Sequence, residues 1–165
     1  MKIFQRCPLK NWQIDSEKLT IMTNQNKMQL FLVDDDALFL KGLEFEFTQH
    51  SPFTVETFAT GELCLQKLSL KPDVIVLDYY LNGIDKNAMN GLETLDKIKT
   101  LDADIPVIML SSQDRIEVAV NCMKHQAFDY IIKSETAFIR LQKAIVDILQ
   151  NKKTKKELNW YMDRM

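Results

Sequence analysis

The sequence predicts an α/β domain in which five β-strands alternate with five helices, a (βα)5 pattern. Three observations predict it. The runs QLFLV, DVIVL and PVIML are apolar throughout, too short for helices, and rich in residues that favour strands. The segments between them place apolar residues at helical spacing. Strands that are apolar on both faces and alternate with helices build a parallel sheet covered on both sides, because the crossover helices pack onto its faces.

The elements follow in order. Residues 1–27 show no sustained period and end in the polar stretch TNQNK, so they read as an arm or extension, with Met22 and Met28 both acceptable starts. QLFLV is the first strand and runs into Asp34, Asp35 and Asp36. ALFLKGLEFEF is a helix with Leu40, Leu43 and Phe47 on one face, at a mild cost from Gly42. Ser51-Pro52 punctuates, and FTVETF alternates Phe53, Val55 and Thr57 against Thr54, Glu56 and Phe58, as a half-buried strand does. Thr60 caps a helix over GELCLQKLSL, which Lys71-Pro72 ends. DVIVL is the third strand and stops at Asp78. A long loop, YYLNGIDKNAMN, leads to the amphipathic helix GLETLDKIKTL and then to the strand PVIML. SSQDRIEVAVNCMKHQA supplies a loop and the fourth helix, and FDYIIK the fifth strand. SETAFIRLQKAIVDILQ is the closing helix, with a stripe of Phe138, Leu141, Ile145 and Leu149. The tail NKKTKKELNWYMDRM either frays or prolongs that helix. The domain reading is thus 28–150, with 1–27 and 151–165 as appendages.

Composition sets the class. With 165 residues, 46% hydrophobic and 27% charged, the chain suits one soluble domain and not a disordered polypeptide. No apolar run approaches the ~18 residues of a membrane span and no secretory h-region opens the sequence, so the expected location is the cytoplasm. Cys7, Cys64 and Cys122 lie far apart without a C-x-x-C, which argues against a disulfide framework or zinc. The net charge of −2 conceals a segregation: residues 1–27 and 152–165 each carry five bases against two acids, leaving 11 bases against 19 acids between them. An acidic body is a poor partner for nucleic acid.

In an open parallel sheet the loops at the carboxyl ends of the strands converge, and ligands bind there. Those ends carry Asp34 and Asp35, then Asp78, then Ser111 and Ser112, then Lys133. Taken singly, each has a bland reading: Asp35, Asp36, Ser111 or Ser112 as a helix cap, Asp78 as a turn residue, Lys133 as a solvated strand end. Taken together they are chemically coherent. Two like charges ~4 Å apart cost about 4 kcal/mol at an effective dielectric near 20, so clustered carboxylates require a cation. Oxygen ligands without His or Cys suit a hard ion such as magnesium. His50 and His125 have no partner at ligand spacing and read as surface or helix-end residues.

FLVDDDALFL, DVIVLDYYL, PVIMLSS and FDYIIK together resemble the receiver domain of bacterial two-component response regulators, over about residues 28–150. The resemblance implies a flavodoxin-like, doubly wound sheet of order 2-1-3-4-5, a property of the family and not of the pattern itself. It implies that Asp78 is the phosphoacceptor, taking a phosphoryl group from a histidine kinase or phosphotransfer protein. It implies magnesium on Asp34, Asp35, Asp78 and the backbone carbonyl of Tyr80. Ser111 and Lys133 would bind the phosphoryl group, Tyr130 would be the switch aromatic, and Tyr80 and Gln113 would tune dephosphorylation.

Two features depart from the family pattern. Ser134 follows Lys133 where the family carries a cis-linked proline; a non-proline cis bond costs ~2.5–4 kcal/mol, which favours a trans bond and leaves the reach of Lys133 open. Asp78 and Gly91 are 13 positions apart, more than the family norm, with Asn82 at the place of a common proline. The added residues either select or shield, or are a neutral insertion.

The reading is a receiver without an output domain, because the 15 residues after 150 are too few to fold one. Output would be protein contact through the fourth helix, fifth strand and fifth helix, with a homodimer as one form and an unidentified downstream protein as another. Three alternatives stand beside it: a receiver fragment of a longer regulator, an unphosphorylated docking module, and an aspartate-nucleophile phosphohydrolase of the haloacid dehalogenase type. The last requires an acid two residues after the nucleophile; after Asp78 that residue is Tyr80, and after Asp34 it is Asp36, but no hydroxyl motif follows it.

Overall fold

The computed structural model describes residues 28–50, 53–81, 83 and 85–165. The arm expected over 1–27, Cys7 and the Asn82 position lie outside the described residues. Strands β1 (Met28–Val33), β2 (Phe53–Phe58), β3 (Val74–Asp78), β4 (Val107–Ser111) and β5 (Asp129–Ile132) alternate with helices α1 (Ala37–His50), α2 (Gly61–Gln66), α3 (Gly91–Leu101), α4 (Ile116–Lys124) and α5 (Ala137–Met162). All strand pairs are parallel and the order is β2-β1-β3-β4-β5, the doubly wound, flavodoxin-like order expected.

Successive strand residues point to opposite faces, so each apolar run feeds two cores. Leu30, Leu32, Val76, Ile108 and Leu110 pack with Leu43 and Phe47 of α1 and Leu141 and Ile145 of α5. Phe31, Val33, Ile75, Leu77 and Met109 pack on the other side with Cys64 of α2, Leu95 and Ile98 of α3 and Cys122 of α4. β2 lies at the edge and is buried mainly at its ends. Phe53 joins the first core and Phe58 the second, so Phe58, expected on the polar face, is in fact a core residue.

The second helix is shorter than its sequence suggests. Thr60 does cap it, accepting a hydrogen bond from Leu63 N, but the α-helix stops at Gln66 and Leu68–Leu70 tightens into a 3-10 turn. Pro72 disfavours α geometry at the residue before it, and Lys71 turns left-handed at φ 53°. α3 opens on a capping box, Asn90 accepting from Glu93 N while the Glu93 side chain accepts from Asn90 N. α5 continues without a break through Met162, so residues 151–162 are helical. Lys152 Nζ donates to the Asp73 carbonyl at 2.8 Å, tying this extension to the start of β3. Among the described residues no helix is long and apolar enough to cross a membrane.

Candidate functional site

Strand register assembles the site. Val33 pairs with Leu77, so Asp34 and Asp78 emerge side by side at the carboxyl edge. Asp78 pairs with Leu110, which sets Ser111 one step further on, and Ser111 pairs with Ile132, so Lys133 leaves β5 beside it. Gly91 closes the edge from α3. A Cβ there would overlap the Asp78 carbonyl and the Tyr79 backbone, so only glycine lets α3 begin against the strand end.

Asp34, Asp35 and Asp78 each offer a carboxylate oxygen, and these lie within 4.8 Å of one another. Lys133 Nζ stands 2.7 Å from Asp34 Oδ2 and 3.0 Å from Asp78 Oδ1. Among the described residues no peptide bond is cis, so Lys133 reaches both acids with a trans bond to Ser134. Asp34 is 2% exposed and Asp78 3%. Burial, reinforced by Asp78 and opposed by Lys133, pushes the Asp34 carboxyl up to about 6. Burial also raises Asp78, with Lys133 opposing and Asp35 adding to the rise. Burial works against the Lys133 charge, yet Asp78 and Asp34 together hold its ammonium above the ordinary lysine value.

One ammonium faces three carboxylates, and the two buried acids are held toward their neutral form. The site is short of positive charge. Its donors are all oxygen, with no His or Cys, which fits a hard divalent ion such as magnesium.

The three consecutive aspartates divide their work. Asp34 Oδ1 accepts from Asp36 N, and Asp35 Oδ2 accepts from Gly83 N in the long loop. Asp36 alone is the cap of α1, accepting from Leu38 N and Phe39 N at 3.0 and 3.1 Å. Ser111 is fully buried and its hydroxyl accepts from Gln113 N at 3.1 Å, whereas Ser112 is exposed. Tyr130 OH donates to the Gln113 carbonyl at 2.6 Å, and burial raises its phenol above the ordinary value against an opposing Ser111 hydroxyl. Ser111, Gln113 and Tyr130 thus form one hydrogen-bonded unit next to Lys133. The Tyr80 ring stands outside it, 39% exposed and edge-on to Tyr79.

Other placements differ from expectation or were missed. His125 is not alone: its Nδ1 lies 2.6 Å from Asp96 Oδ1, joining α3 to the end of α4. The His50 side chain lies outside the described residues. Glu62 Oε1 accepts from Met89 N at 2.7 Å and anchors the far end of the long loop, a role with no sequence signal beyond an acid in the first turn of α2. Phe39 lies under Lys133, its ring centroid 4.7 Å from Nζ. The sequence reading took Leu40, Leu43 and Phe47 as the inward stripe of this helix and did not include Phe39, which the structure buries in the same core.

A family model for the response regulator receiver domain matches residues 30–146. The protein-glutamate methylesterase/protein-glutamine glutaminase of Clostridium acetobutylicum is 35% identical over 116 residues, covering 68% of this chain and 32% of that protein. The protein of the same name from Bacillus subtilis is 38% identical over 110 residues, covering 64% and 29%. The chain therefore spans about a third of the length of these curated relatives. Among solved structures, a CheY-like response regulator receiver domain protein from Methanospirillum hungatei superposes with a TM-score of 0.65 at 22% identity, covering 77% of this chain and 99% of that one.

Proposed function

The chain belongs to the response regulator receiver domain family, and from that membership we propose that it is a phosphorylation-dependent switch with Asp78 as phosphoacceptor. An Asp78 carboxylate oxygen attacks the phosphorus of a phosphohistidine on a histidine kinase or phosphotransfer protein. The P–N bond breaks, its electron pair stays on the imidazole nitrogen, and Asp78 becomes an acyl phosphate. The observation that carries this reading is a buried Asp78 with the oxygens of Asp34 and Asp35 within 4.8 Å and Lys133 Nζ at 3.0 Å.

Phosphoryl transfer asks a protein mainly for positioning and for charge against the phosphoryl oxygens. Magnesium on Asp34, Asp35, Asp78 and the Tyr80 carbonyl would supply part of that charge. Lys133 supplies the rest, pairing with the phosphoryl group from where it now pairs with Asp34 and Asp78. The Ser111 hydroxyl turns from Gln113 N to a phosphoryl oxygen, and Tyr130, bonded to the same Gln113 backbone, responds. Tyr80 and Gln113 set the access of water to the acyl phosphate. Output is contact with a downstream protein or a second copy through α4, β5 and α5, where Ile116, Val120 and Met123 present apolar surface. The protein works in the cytoplasm and turns over only its own acyl phosphate.

Phosphoramidate with magnesium tests the reading. One alkali-labile phosphate per chain is expected, with none on Asp78→Asn; equal labelling of the variant would overturn it.

A further inference from the structure

We infer that Phe39 is a positioning residue for Lys133, its ring fixing the ammonium at the point where it meets both Asp34 and Asp78. The inference rests on the proposed function for its consequence, but its geometry stands apart. Lys133 has no proline after it to shape the following loop, and its bond to Ser134 is trans. The two carboxylates hold the end of this long, rotatable side chain, and an aromatic ring makes a further contact with the same ammonium. Its Nζ lies 4.7 Å from the Phe39 ring centroid, within the range of a cation–π contact, while the side chain is only 14% exposed. Desolvation strengthens such a contact.

The ring is itself fixed from the sequence side. Phe39 N donates to Asp36 Oδ1, so the third aspartate of the run holds the first turn of α1 in place. The ring packs within the core that includes Leu40, Leu43, Ala137 and Leu141. The ammonium therefore sits over a phenyl ring and within reach of two carboxylates. An aliphatic side chain would fill the core but offer no negative face to the ammonium.

The test separates packing from positioning. In the magnesium-free wild-type protein, the Lys133 ε-methylene protons should resonate upfield of the other lysines, from the ring current, and Phe39→Leu should return them to the ordinary position. With phosphoramidate and magnesium, folded Phe39→Leu should be phosphorylated about tenfold more slowly than wild type, while Phe39→Tyr, which keeps the ring face, should stay within about twofold. An ordinary lysine shift in the wild type, a Phe39→Leu protein at the wild-type rate, or equal losses in the leucine and tyrosine variants would each overturn the inference. A wild-type protein that takes no phosphate would instead sink the proposed function, and the ε-methylene shift would still decide where Lys133 is held.

Discussion

Asp34 is ionised at neutral pH only against burial and against Asp78, and this gives the site a measurable signature. Its carboxyl is raised from 3.8 to about 6 in the folded protein, so the folded state binds that proton more tightly than the unfolded chain does. The associated stability is fully present below pH 3.8 and is lost as pH rises through about 6. The gap corresponds to about 3 kcal/mol. Asp34→Asn, which stays neutral, should therefore raise the magnesium-free thermal midpoint at pH 7.5 and lose that advantage below pH 4. Magnesium should stabilise the wild type more at pH 7.5 than at pH 5; an equal effect at both would mean that the acid cluster does not hold the ion. A second prediction concerns Tyr80. Its exposed ring follows the proposed phosphoacceptor Asp78 by two positions, and Tyr80→Ala should shorten the acyl-phosphate lifetime several-fold, with an unchanged lifetime removing it from the tuning role. The acids and Lys133 were legible in the sequence because strand ends are legible. Phe39 was not assigned to the lysine, because a contact between residues 94 positions apart depends on the fold.

Helices differ in how firmly they are held, and that difference is a prediction about movement. Of the nine residues of α4 only Cys122 is buried, Ile116 is 80% exposed, and Arg115 makes no side-chain cap. The helix is joined at one end to the Ser111–Gln113 turn and at the other to α3 through His125 and Asp96. In hydrogen exchange α4 should be the least protected of α1, α3, α4 and α5, and beryllofluoride with magnesium should change protection there first. Uniform protection would argue against α4 as the moving element. α3 is the opposite case: Gly91 fits against the Asp78 carbonyl, and Gly91→Ala should cost about 1–3 kcal/mol and slow phosphorylation by displacing the strand end. Element identity followed from periodicity, but boundaries did not. Lys67 to Leu70 carried the apolar spacing of a helix, yet Pro72 forced the chain out of it. The tethers of the long loop, Gly83 to Asp35 and Met89 to Glu62, involve backbone amides that no side-chain pattern reports.

The charge segregation takes on a place in the molecule as a whole. The acidic excess converges partly on one edge of the sheet, and the basic end lies along α5, whose extension is tied to the opposite, amino edge by Lys152 and Asp73. Lys155 and Asp104 form a further pair at 3.8 Å with both side chains largely in water. Exposed pairs of this kind contribute little. Removing residues 153–165 should shift stability by less than about 1 kcal/mol and leave phosphorylation of Asp78 unchanged; a large loss would make the extension part of the folding unit. The sheet order was readable only through the family resemblance, since hydrophobic patterning places strands in layers but does not rank them within one.

In the proposed function Asp78 carries the phosphoryl group in a site completed by its neighbours. Reductive trapping of the acyl phosphate after treatment with phosphoramidate and magnesium, followed by peptide mass spectrometry, locates the modified residue directly. The expected result is trapping at Asp78 alone, dependent on magnesium and lost in Asp34→Asn with Asp35→Asn. Trapping at another acid, or none in the folded wild-type protein, would contradict it.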